Sequence, residues 1–384
     1  MVRLTPILKN PLQAILLAVF CSTAFPAIAS DAELFFPIGI YGAKNVDDLE
    51  IVKEAGFNCV VGPANAAFLD KAHELGLRVM ASPGSSSGNS FDATRLLEKV
   101  KSFDAHPALW SWYLVDEPDM HRTPPWKVAM DQRMLKAVPA KSPVSLVLYN
   151  GANADDYGDI PDILMVDHYP IPWMPLAHFA QHMSWARHSV PDDKPVIAVM
   201  QAFDWYHFRN LLPGETHFRA PTFDELQCMT FMSLGQGMNG IIYYTLRSGE
   251  WDLLKQPDVW SGLQQAIRSV KENDYLLTSK RLWWRPRSEI LPYEFRKNAA
   301  LEPSISITLF EDLDGIQHVL LINTTPHSLN LKLQLPGASN RWASVFQKDT
   351  PFGGFKPETI YHIPFESYQV RLLKGFTLGV SPNY

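Results

Sequence analysis

Eight short apolar runs, each followed by a stretch of helical character, constrain this chain more than any other feature. They are Phe36 to Tyr41, Asn58 to Val61, Arg78 to Ala81, Leu109 to Val115, Val144 to Leu148, Ile163 to Val166, Val196 to Met200 and Gly240 to Thr245. Between the first runs, Leu49, Val52 and Ala55 stop at Gly56, and Phe68, Leu69, Ala72 and Leu75 stop at Gly76. Helical spacing that ends on a glycine marks a helix and its C-terminal stop. Leu96 to Phe103, Trp126 to Leu135, Leu176 to Ala186, Phe223 to Leu234 and Val259 to Val270 continue the pattern. The fifth crossover, Tyr149 to Pro161, is short and rich in Gly, Asn and Asp, so its helix is expected to be reduced or absent. Strands that alternate with helices predict a parallel sheet. Eight of them predict an α/β fold, a (β/α)8 TIM barrel.

From about Arg287 the pattern changes to short alternating runs: Ser304 to Phe310, His318 to Asn323, Leu329 to Leu335, Trp342 to Gln347 and Tyr368 to Leu373. Turn residues such as Asp312 to Gly315 and Pro336-Gly337 separate them. This predicts a small antiparallel β-sandwich over 287–384, following a barrel over 30–286. The Trp283-Trp284 pair is expected to pack the passage between the two.

At the start of the chain, Arg3 and Lys9 precede an apolar stretch from Leu12 to Phe25, and then comes Ala27-Ile28-Ala29. Small residues at that point fit a secretory signal over 1–29. A mature chain beginning near Ser30 would be exported, periplasmic or secreted, with no membrane association after cleavage. Only Cys59 and Cys228 follow that segment, and both are expected to be buried free thiols. Neither C-x-x-C, H-E-x-x-H nor a Gly-x-Gly-x-x-Gly after the first strand occurs, so no metal or nucleotide cofactor is expected. A formal charge of −6 gives no electrostatic reason to expect a nucleic-acid partner. The sequence does not fix an oligomeric state. Eleven Trp and thirteen Tyr supply aromatic faces suited to sugars.

A barrel gathers polar residues from its strand ends into one pocket, however far apart they lie in sequence. Those residues here are Tyr41, Asn65, Asp116, Glu117, Asp119, Asn150, Asp167, His168, Tyr169, Gln201, Asp204 and Tyr244, with Glu250 and Asp252 beyond. The fourth run, Trp110-Ser111-Trp112-Tyr113-Leu114-Val115, ends abruptly in Asp116-Glu117-Pro118-Asp119. Three carboxylates at one buried strand end are costly unless used or paired.

A fourth barrel strand ending in an acidic Glu-Pro resembles clan A of the retaining glycoside hydrolases, whose members usually read Asn-Glu-Pro there. His106-Pro107-Ala108-Leu109 resembles the approach segment of many of them. The resemblance spans roughly Phe36 to Asp274 and implies a glycosidase acting on a carbohydrate, with Glu117 as acid/base. Two positions depart from it. Asp116 stands where the clan has Asn, and an ionised Asp only accepts hydrogen bonds. Gln201 stands near the place of the nucleophilic Glu on the seventh strand, and an amide is no carboxylate nucleophile.

Several expectations follow. Burial among Trp110, Trp112 and neighbouring carboxylates should raise the Glu117 pKa, as a general acid requires. Asp167, ending the run Ile163 to Val166, is the expected second group. A separation of about 6.5 to 9.5 Å would suit an inverting base, and about 5 Å a nucleophile. Alternatively, Asp116-Glu117 resembles the Asp-Glu pair of N-acetylhexosaminidase-type barrels, where the Asp orients the acetamido group and the substrate assists. Tyr41, Asn65, Asn150, His168, Tyr169, Gln201, Asp204 and Tyr244 are the expected sugar contacts. Asp204-Trp205-Tyr206 and Trp251 are candidate stacking platforms, whereas Glu250 and Asp252 read as solvated loop residues. The competing readings are a catalytically inactive carbohydrate-binding barrel and a cell-envelope scaffold protein.

Overall fold

A computed structural model describes residues 35–83, 93–138, 140–283, 285–335, 341–344 and 360–376. The expected signal over 1–29, Trp284, the Pro336-Gly337 turn and the end of the expected strand at 345–347 lie outside the described residues.

Eight parallel strands close into a barrel. They are β1 (Ile38–Tyr41), β2 (Cys59–Pro63), β3 (Arg78–Ser82), β4 (Leu109–Asp116), β5 (Val144–Leu148), β6 (Ile163–His168), β7 (Val196–Gln201) and β8 (Gly240–Tyr244). Ile38, Gly39 and Ile40 pair with Ile241, Ile242 and Tyr243, which joins β8 back to β1. All residues of β5, β6 and β7 are buried, because barrel interior and helices cover both faces and no polar alternation is needed.

The covering helices are α1 (Val46–Glu54), α2 (Ala66–Glu74), α3 (Ala93–Phe103), α4 (Pro125–Ala137), α5 (Ala154–Tyr157), α6 (Leu176–His188), α7 (Phe223–Gly235) and α8 (Pro257–Lys271). The fifth crossover is reduced to a 3-10 turn, Gly151–Asn153, and the four residues of α5. A Cβ on Gly151 would collide with the His182 carbonyl, so α6 presses directly on that turn. After β8, the two-residue strands β9 (Arg247–Ser248) and β10 (Trp251–Asp252) form a small hairpin.

The remaining strands are β11 (Lys280–Leu282), β12 (Arg287–Leu291), β13 (Ile305–Glu311), β14 (Gln317–Asn323), β15 (Leu329–Gln334), β16 (Arg341–Ser344), β17 (Ile360–Phe365) and β18 (Val370–Phe376). They form an antiparallel five-stranded sheet, β11-β13-β14-β18-β16, and a three-stranded sheet, β12-β15-β17. Alternation along β14 divides its side chains between two cores. Val319 and Leu321 pack between the sheets with Leu331, Leu333, Ile363 and Phe365. Leu320 and Ile322, with Phe310, Val370 and Leu372, join the core of the barrel instead.

The element between them is α7, which buries Leu226, Cys228, Met229, Phe231, Met232 and Leu234. A helix apolar on every side must be covered on every side, here by β7 and by the five-stranded sheet. The Cys228 thiol donates to the Asn323 carbonyl at 3.6 Å, and both Cys59 and Cys228 are buried free thiols. Trp283, expected to pack the passage, is 83% exposed. The passage is sealed by strand pairing instead, because Lys280–Leu282 is already an edge strand on β13.

Candidate active site

The candidate residues gather at the C-terminal mouth of the barrel, where period-2 alternation decides what points inward. On β6, Asp167 and then Tyr169 turn toward the mouth while His168 turns out. On β8, Tyr244 turns in, and the Tyr243 hydroxyl reaches Thr230 on α7 at 2.7 Å. On β4, the pairing with β5 shifts register between Tyr113 and Val115. In a regular strand, residues three apart face opposite sides; across this shift the Tyr113 hydroxyl donates to the Asp116 carboxylate.

Glu117 follows with a φ of 39°, a left-handed backbone that a residue other than glycine adopts at a cost. The turn behind it is fixed by His121 and Thr123 amides donating to the Glu117 and Pro118 carbonyls. Asp119 accepts from the Tyr149 and Asn150 amides and from Asn153 Nδ2, so this third carboxylate braces the β5 loop.

Glu117, on the turn after β4, and Asp167, near the end of β6, are neighbours whose carboxyl groups act on each other's titration. Asp167 is 4% exposed and lies behind Glu117, which is half-buried. Burial, then the Glu117 charge, pushes Asp167 well above the usual carboxylate range. Burial also raises Glu117; the hydrogen bond with Asp167 opposes that, and the Asp116 and Asp119 charges add to it. Two carboxyl groups this close do not ionise together, so the pair holds one proton over a wide pH range.

Tyrosines surround the pair. Tyr41 meets Tyr113 at 5.9 Å and Tyr244 at 5.5 Å, both edge-on, and Tyr169 stacks on Tyr244 at 5.6 Å. Burial raises the pKa of all four phenols, so they remain neutral hydrogen-bonding groups. The Tyr41 hydroxyl and Asp167 Oδ1 are buried with no hydrogen-bond partner among the described residues. Phe203 and Trp205 continue the wall beyond Tyr169.

Other expected contacts lie elsewhere. Gln201 is fully buried: its Oε1 accepts from the Ile171 amide at 2.9 Å, and its Nε2 donates to the Ile171 and Phe203 carbonyls at 2.9 and 3.0 Å. Its amide therefore fastens the loop after β6 and has nothing left for a sugar. His168 stacks on His182 at 4.0 Å between β6 and α6, and burial lowers its pKa to about 3. Asn65 caps α2 through the Phe68 amide, Asn150 caps the turn before α5 through Ala152, and Asp204 caps the turn after β7 through Tyr206. These three do the ordinary work of Asn and Asp after strands.

Trp251 is buried and its indole donates to the Thr245 carbonyl, so it is no stacking platform. Tyr206 is half-exposed, with Arg209 lying over its ring at 4.4 Å. Arg209 also pairs with Glu250 at 3.5 Å, and Arg247 pairs with Asp252 at 3.4 Å and with Asp48. Tyr113 is the functional residue that strand reading missed, because only the register shift turns it toward Asp116. Among the described residues no group of three or more His, Cys, Asp or Glu side chains is placed to hold a metal ion. A separate cavity of about 520 Å³ opens at the N-terminal end of the barrel beside Phe36, Arg187, Asn239 and Arg281, the end that serves stability in this architecture.

No protein-family model matches the sequence, and no curated protein does. Solved structures do match. A glycoside hydrolase family 5 structure from Bacteroides vulgatus has a TM-score of 0.60 at 14% identity, over 91% of this chain and 92% of its own. A family 42 β-galactosidase from G. stearothermophilus gives 0.56 at 9% identity, over 88% and 98%. An α-amylase from Anoxybacillus gives 0.53 at 10%, over 87% and 90%. At such identities the likeness is one of fold. The chain is a closed eight-stranded parallel barrel with trailing antiparallel sheets, a fold it shares with glycoside hydrolases of several families.

Proposed function

We propose that this protein is an exported glycoside hydrolase in which Glu117 is the general acid and Asp167 its buried partner. The observation that carries the reading is the placement of two carboxyl groups raised by burial, Glu117 and Asp167, beside the tyrosines at the mouth of the barrel. A glycosidic oxygen must receive a proton as its bond to the anomeric carbon breaks. The pair stores one proton at neutral pH, and Glu117 is the member a substrate can reach. As that proton leaves, both carboxylates become negative and face the oxocarbenium-like centre, which they stabilise through space. Water then adds to the anomeric carbon and returns its proton to Glu117. Asp167 acts in this scheme through charge and proton storage, so no carboxylate is needed at Gln201. The basic and apolar start of the chain supports export.

Gln201 favours a second reading, a barrel that binds carbohydrate without turning it over, since its amide is committed to backbone. A glycan panel incubated with the mature protein, with product anomers followed by NMR and Glu117→Gln as control, separates the two. Turnover lost in the variant supports the glycosidase. Glycan binding of equal strength in both proteins, without products, supports the binding barrel.

A further inference from the structure

Asp116, Glu117 and Asp167 bring three carboxyl groups together at the mouth of the barrel. Asp116 is exposed at the mouth, and Tyr113 donates to one of its oxygens, leaving the other open to a ligand. Carboxylates dominate what acts on Glu117 and Asp167, with His121 a basic neighbour of Glu117. On the loops after β7 and β8, Arg247 pairs with Asp48 and Asp252, and Arg209 with Glu250. Acidic groups gathered at one partly buried mouth favour a ligand of opposite charge.

The unpartnered atoms point the same way. Asp167 Oδ1, on a side chain more than nine-tenths buried, accepts hydrogen bonds and has none. The Tyr41 hydroxyl beside it is also without a partner. Asp116 adds a further acceptor, and the chemistry that fits such a surface is a donor with positive charge. A sugar bearing an ammonium group offers three N–H donors and a charge, whereas a uronate or sulfated sugar would be repelled.

Building on the glycosidase reading, we infer that the substrate is a glycan with free amino groups, a deacetylated hexosamine polymer, recognised through Asp116. An Asn at this position would serve a neutral hydroxyl or an acetamide as well; an ionised Asp gains most from a charged donor.

The test compares glucosamine, N-acetylglucosamine, glucose and galacturonic acid oligomers of equal length, with kcat/KM measured from product formation. The glucosamine oligomer should exceed the glucose oligomer by about tenfold, the scale of one charge-assisted hydrogen bond. That advantage should shrink with salt and as the pH rises through the amine's own pKa. Asp116→Asn should bring the ratio close to one. Galacturonate should not be turned over. Glucose oligomers cleaved as well as glucosamine oligomers, with Glu117→Gln inactive, would overturn this inference and leave the glycosidase reading standing. A preference for the N-acetylated oligomer would also overturn it and give Asp116 the role of orienting an acetamide. With no turnover of any oligomer, calorimetric binding to Glu117→Gln decides. Tighter binding of glucosamine than of glucose oligomers by about tenfold supports the inference. Equal affinity overturns it, and the absence of all binding overturns the glycosidase reading as well.

Discussion

Asp167 is almost fully buried, and that burial together with the Glu117 charge beside it holds its carboxyl well above the usual carboxylate range. The pair titrates as a unit.

Asp167→Asn should therefore move the pH profile in a known direction. The Asn amide donates to Glu117 and favours its ionised form, so the acid loses its proton at lower pH. The alkaline limb of kcat/KM should shift acidward by about one pH unit or more. The pH–rate profile of the variant checks this, and an unmoved limb would remove Asp167 from the mechanism.

The same substitution should stabilise the fold at neutral pH. A carboxyl whose folded pKa is raised binds more protons folded than unfolded, so its contribution to stability is greatest at low pH. It declines as pH rises from the unfolded value toward the folded one. Melting curves of Asp167→Asn and the parent at pH 4 and pH 8 should differ little at the lower pH. At the higher one the variant should melt above the parent by about 2 °C or more. The reverse ordering would contradict a raised Asp167 pKa.

Gln201→Glu should not supply a nucleophile. The new carboxylate cannot donate to the Ile171 and Phe203 carbonyls, and it would be a buried charge facing two carbonyl oxygens. A loss of about 3 kcal/mol or more in urea unfolding is expected, with no gain in turnover. A stable variant with new activity would show that Gln201 is a recently lost catalytic position.

The trailing sheets should be inseparable from the barrel. Phe310, Leu320, Ile322, Val370 and Leu372 belong to the core that contains the barrel and α7. Full-length protein should unfold in one transition by calorimetry. A chain ending at Ser279 should be insoluble or should expose α7 to a hydrophobic dye. A truncated barrel with a sharp melting transition would refute the shared core.

Much of this was legible in sequence because it rests on short-range periodicity. Apolar runs, helix-stopping glycines and the reduced fifth crossover all follow from residues within a few positions of one another. Asp167 and Tyr169 also follow from alternation along β6, and the same rule turns His168 away. Other features were hidden because their causes lie far along the chain. Gln201 is committed to Ile171, thirty positions earlier. The register shift that joins Tyr113 to Asp116 exists only when β4 meets β5. Strand β17 carries Pro364, which argues against a central strand; β17 lies at the sheet edge, where the missing donor is tolerated. Strand β11 has three residues and no pattern of its own until it finds β13.

The placement of α7 between barrel and sheet has a mechanical consequence. Loops rooted on β6, β7 and β8 stand on a wall backed by a second layer, and Gln201 fastens one of them from within. The rim over β4 and β5 has no such backing and presents exposed Met120, Trp126 and Tyr149. Tyr169 and Tyr244 thus stand on the doubly backed side of the mouth, and Glu117 faces them from the singly backed side.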